Sequence, residues 1–77
     1  MQAFILIQTE VGKAAAIATE IAKITGVRTA EDVLGPYDVI VRVSADDVAP
    51  VVKEIREVAG ITRTLTCDVP EKSANKN

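Results

Sequence analysis

Seventy-seven residues with a formal net charge of −2 make one domain, and interspersed charges leave no basic face of the kind that grips nucleic-acid phosphates. One cysteine and no histidine exclude an internal disulfide and leave a zinc site without its usual ligands. A core this small rarely supplies more than about 3–5 kcal/mol, so oligomerisation is the expected support. The apolar runs are too short to span a membrane, and the apolar start lacks the basic residues and cleavage site of a signal peptide. A cytoplasmic location is the default expectation.

The first predicted element is a strand over 3–8. Ala3, Ile5 and Ile7 point one way and Phe4 and Leu6 the other, so both faces are apolar. A helix follows over 12–25, alanine-rich, with Ile17, Ile21 and Ile24 as its buried stripe and Gly26 as its stop. The second strand, over 27–34, carries Arg28, Thr29, Glu31 and Asp32, a polarity suited to a sheet edge. Gly35 and Pro36 make a tight connection, and Tyr37 and Asp38 lead into a third strand. There Val39, Val41 and Val43 share one face and Ile40 and Arg42 the other.

Ser44 and Asp47 have capping-box spacing, and Pro50 fits only a first turn, so the second helix is expected to begin near Asp46 or Asp47. Its core stripe is Val51, Ile55 and Val58, joined by Val48 and Val52. Beyond Gly60 a fourth strand over 61–69 alternates, with Ile61, Leu65 and Cys67 on one face and Thr62, Thr64, Thr66 and Asp68 on the other. Arg63 interrupts the apolar face. The domain is expected to span 1–69, and the polar stretch 70–77 to be a disordered tail.

The chain spells one unit twice. Ile17, Ile21, Ile24, Gly26 and Val27 correspond to Val51, Ile55, Val58, Gly60 and Ile61, and each set follows a run of β-branched residues. A duplicated β-α-β predicts an α+β, ferredoxin-like βαββαβ sandwich: a four-stranded antiparallel sheet with two helices on one face. The two most apolar strands, first and third, take its centre. Helices on one face leave the second apolar face, with Phe4, Leu6 and Ile40, in need of a cover, and a further subunit is the simplest.

Few residues offer chemistry. Without histidine there is no Ser-His-Asp or Cys-His arrangement, and the carboxylates fall at helix starts, solvated faces or the polar edge strand. The four glycines never cluster into a phosphate loop, Phe4 and Tyr37 are too few for base stacking, and residues 9–13 lack a C-x-x-C pair. Cys67 reads as a small core hydrophobe. Gly35, Pro36, Tyr37 and Asp38 remain. They read either as an ordinary hairpin bend or as a pocket wall, with exposed peptide groups and a carboxylate beside a glycine that lets a ligand approach.

Those four residues running into Val39, Ile40 and Val41, the helix ending before Gly26 and Val27, and the final run G-I-T-R-T-L-T from Gly60 to Thr66 together resemble the effector-binding (RAM) domain of the Lrp/AsnC family, from about Ala3 to Val69. Full-length members of that family carry an N-terminal DNA-binding helix-turn-helix, so a chain whose domain begins at Met1 resembles a stand-alone version. The resemblance implies a dimeric α+β barrel type of assembly, with dimers formed sheet to sheet, rings of dimers, and amino acids bound between dimers near the strand-turn-strand loop. It thus implies ligand-binding roles for Gly35, Pro36, Tyr37 and Asp38 and for Thr64 and Thr66, and interface roles for Phe4, Leu6, Ile40 and Arg42. The partners implied are an amino acid or related metabolite, further copies of the chain, and full-length Lrp/AsnC-type regulators. No catalytic residue, metal, cofactor, membrane or direct nucleic-acid contact is expected. Two other readings stay open: a small dimeric α+β barrel enzyme of monooxygenase type, and a purely structural association module.

Overall fold

The structure is a computed structural model that describes residues 1–70; beyond Pro70, the expected disordered tail lies outside the described residues. Six elements follow in order: β1 (Gln2–Thr9), α1 (Ala14–Ile21), β2 (Val27–Asp32), β3 (Val39–Ser44), α2 (Ala49–Arg56) and β4 (Ile61–Val69). The strands form one antiparallel sheet in the order β2-β3-β1-β4. The architecture is the ferredoxin-like βαββαβ sandwich, with the two most apolar strands at its centre. Ala3, Ile5 and Ile7 of β1 and Val39, Val41 and Val43 of β3 are wholly buried against Ile17, Ile21, Val51, Val52 and Ile55 of the helices. This core follows from two periods in the sequence, two along the strands and 3.6 along the helices.

The halves of the repeat meet through matching contacts at a constant offset of 34 residues. Glu10 N–H donates to the Gly60 carbonyl at 2.8 Å, and Ser44 N–H donates to the Gly26 carbonyl at 2.9 Å. Gly26 and Gly60 both have left-handed φ, +97° and +96°. A Cβ at Gly26 would lie 2.9 Å from Val51, and one at Gly60 would lie 3.0 Å from Ile17. Val51 and Ile17 are themselves equivalent in the repeat. Each glycine therefore ends its own helix and admits the core residue of the other.

Both helices are shorter than the sequence pattern predicts. After Ile21 and Arg56 the chain tightens into i→i+3 bonds, Lys23 to Glu20 and Ile24 to Ile21 in one half, Glu57 to Glu54 and Val58 to Ile55 in the other. The expected capping box does not form, because Ser44 ends β3. Instead Asp47 Oδ1 accepts the Ala49 N–H at 3.2 Å, so α2 starts later than Asp46 or Asp47.

Irregularities at equivalent places reset both outer strands. The β2–β3 register shifts between Val27 and Thr29, and that of β4 against β1 between Ile61 and Arg63. The extra residue, Arg28 or Thr62, reverses the alternation. Ile61 therefore packs against the core, while Leu65 and Cys67 lie opposite Leu6 and Phe4 on the open face. This corrects the expectation of one face shared by Ile61, Leu65 and Cys67, and that of a core Cys67, whose side chain is exposed.

Candidate functional site

The 35–38 turn is held by four hydrogen bonds, three of them to the C-terminal end of β1 and one to Val33 just past β2. Asp38 N–H donates to the Ile7 carbonyl at 2.8 Å, and Val33 N–H donates to the Asp38 carbonyl at 2.9 Å. The Asp38 carboxylate accepts the Thr9 N–H at 2.8 Å through Oδ2, and Gln8 Nε2 donates to the Pro36 carbonyl at 3.1 Å. Asp38 thus anchors the loop across the end of a neighbouring strand. Gln8 and Thr9 brace the turn, a role that sequence pattern does not announce because the partners are nearly thirty positions away.

Gly35 is exposed, its φ is not left-handed, and a Cβ there would meet nothing within 4 Å. Neither the backbone nor the packing of the chain calls for glycine. Pro36 is exposed, and Tyr37 and Asp38 are half-buried. Leu34, which leads into this turn, is a fully exposed apolar residue, as is Val11 two residues past the end of β1. Arg63 lies opposite Gln8 in the sheet register and makes no ion pair among the described residues. Its signal in the sequence is the break it makes in an apolar face.

Thr64 and Thr66 are not brought into this turn. They pair with Ile7 and Ile5, residues of the buried face, so they lie on the helix side of the sheet. Thr64 Oγ1 accepts a hydrogen bond from Arg56 Nε at 3.0 Å. Thr66 lines a groove of about 580 Å³ between α2 and β4, with Met1, Val48, Val52 and Asp68 among its other walls.

Phe4, Leu6, Ile40 and Arg42 do share one surface. Across the open face the register aligns Glu31, Ile40, Leu6 and Leu65 in one row and Thr29, Arg42, Phe4 and Cys67 in the next. Arg42 donates to Gln2 Oε1 at 2.7 Å, and its guanidinium lies 5.6 Å from the Phe4 ring centroid, a cation–π distance. Phe4 and Leu65 remain 37% and 40% exposed, which leaves an apolar strip at the middle of an uncovered sheet.

A model of the Lrp/AsnC ligand binding domain matches residues 2–70. The chain belongs to this family. Several solved structures of similar size share its fold. TTHA0845 from Thermus thermophilus is 28% identical, with 91% of this chain and 98% of that one covered and a TM-score of 0.77. PHS023 from Pyrococcus horikoshii, described as a hypothetical protein, is also 28% identical, with 99% and 98% covered and a TM-score of 0.78. E. coli AsnC shares the fold at a TM-score of 0.79 and 16% identity, with 99% of this chain covered and 54% of that one. No curated protein matches the sequence. Membership makes this a regulator-like effector domain. Among the described residues no helix is long and apolar enough to cross a membrane, and no three His, Cys, Asp or Glu residues group as metal ligands.

Proposed function

We propose that this Lrp/AsnC-type domain is a non-enzymatic, cytoplasmic module that binds an amino acid or related small metabolite at the 35–38 turn. It would work as a homo-oligomer built through the open sheet face, and associate with full-length regulators of its family. The observation that carries the reading is Gly35. A glycine that neither backbone nor packing requires, on a turn tied down by Asp38 and Gln8, fits a place kept clear for something outside the chain. Rigid anchoring lowers the ordering cost of binding. In this reading Asp38 positions the loop, its peptide groups meet the ligand's polar ends, and Arg63 supplies a guanidinium for a carboxylate.

The apolar strip of Phe4, Leu6, Ile40 and Leu65 favours a second copy as the cover of the sheet. The Gly35→Val variant separates binding from folding. It should melt as the parent protein does, because the added side chain meets nothing, while losing the stabilisation given by whichever amino acid scores in a thermal-shift screen. Calorimetry showing equal affinity in parent and variant would return the turn to an ordinary hairpin bend.

A further inference from the structure

The groove between α2 and β4 lies on the helix side of the sheet at its β4 edge, shares no lining residue with the 35–38 turn, and is built differently. Its floor is apolar, from Val48 and Val52, and its charges are sorted by sign toward its two ends. Asp47 precedes α2 and Asp68 lies near the end of β4, while Lys53 and Arg56 occupy the last turn of the helix. Each end also carries one charge of the opposite sign, outnumbered there two to one: Glu57 at the basic end and, at the acidic end, the ammonium of Met1, which donates to the Ala45 carbonyl at 2.8 Å. The Arg56–Thr64 hydrogen bond sets the guanidinium level with Thr64, four strand residues or about 13 Å from Asp68. Lys53 is three residues earlier on the helix, about 4.5 Å nearer. Anion and cation are thus roughly 8–13 Å apart. Among the described residues the ion pairs are Lys13 with Glu10 and Lys23 with Glu20, so none of the groove's charges is paired.

We propose that this groove binds a short, extended peptide with free ends. Its ammonium lies at Asp47 and Asp68, its carboxylate at Lys53 and Arg56, and its small side chains on Val48 and Val52. Two or three extended residues span about 7–11 Å, which suits the separation of the charges. A free amino acid carries both charges on one carbon and cannot reach both ends. β4 is also an edge strand, so alternate residues turn main-chain N–H and C=O groups outward, where an extended peptide can pair.

The test is an amide NMR titration of the whole chain with trialanine, N-acetyl-trialanine, trialanine amide and L-alanine. Trialanine should shift Ala49, Val52, Thr66 and Asp68, blocking either end should weaken binding at least fivefold, and L-alanine should leave those amides unmoved. Asp68→Asn and Lys53→Gln, both at exposed positions, should each weaken trialanine binding at least fivefold. Asp68→Asn should also cease to distinguish trialanine from its acetylated form. Unchanged affinity on blocking the ends, shifts confined to residues 35–38, or no shift with trialanine would each overturn the proposal. Groove and turn report through separate amides, so failure here is distinguishable from failure of the amino-acid site.

Discussion

At the strand–helix junctions residues 10–27 and residues 44–61 make the same connections, yet the two helices sit differently on the sheet. Glu10 and Ser44 bond to the glycine that ends the opposite helix, Gly60 and Gly26, and both helices finish in the same tightened turn. Along the outer side of α1 stand Ala14, Ala15, Ala18, Thr19 and Ala22; their counterparts on α2 are Val48, Ala49, Val52, Lys53 and Arg56. The small side chains let α1 lie closely against β2, whereas the longer ones hold α2 off β4 and leave the groove. Glycine and the apolar stripe fix the shared backbone, and the features proposed for recognition sit where the halves diverge. The other divergence is the 35–38 turn, into which the first half runs from β2.

The comparison breaks most severely at the sheet face. Leu6 and Ile40 are equivalent in the repeat and directly paired, so Leu6→Glu and Ile40→Glu should act alike. An unpartnered charge buried in an interface costs about 3–5 kcal/mol, which should leave monomers in sedimentation at micromolar concentration. Glu20→Lys, on the exposed surface of α1, should not change the sedimentation.

Gly26→Ala and Gly60→Ala sharpen the symmetry itself. Each meets a left-handed backbone and a close side chain, for an expected loss of about 2–4 kcal/mol in urea unfolding. Gly12→Ala, left-handed but with open space around it, should lose only about 1–2 kcal/mol. Equal losses at Gly12 and Gly26 would show that the Gly26–Val51 approach is unimportant.

Asp38→Ala removes the acceptor of the Thr9 N–H and should lower stability by about 1–2 kcal/mol, with loss of amino-acid binding. Smallest of all, Lys53→Ala should change stability by less than about 0.5 kcal/mol, because Lys53 is exposed and makes no ion pair among the described residues.

Much of the fold was legible because its signals are periodic. Ala3, Ile5 and Ile7, the three valines of β3, and the stripes of Ile17 with Ile21 and Val51 with Ile55 all announce their burial by spacing. The reset at Thr62 carries no such signal, since one extra residue in a strand looks like any other, so Leu65 and Cys67 part from Ile61 and lie on the open face. Ser44 and Asp47 had the right spacing for a capping box, but pairing with Gly26 kept Ser44 in the sheet. At the candidate site the Gly-Pro-Tyr-Asp motif stood out by composition. The brace from Gln8, the Asp38–Thr9 bond and the separation of Thr64 and Thr66 from the turn depend on contacts between distant parts of the chain, which local pattern does not contain.

The most direct test of the amino-acid site is an amide NMR titration of the chain with each standard amino acid, repeated on Gly35→Val. At least one amino acid should shift the amides of Gly35, Tyr37, Asp38 and Gln8, and those shifts should vanish in the variant while its spectrum otherwise stays folded. Silence at these amides for every amino acid, or the same shifts in Gly35→Val, would contradict the account.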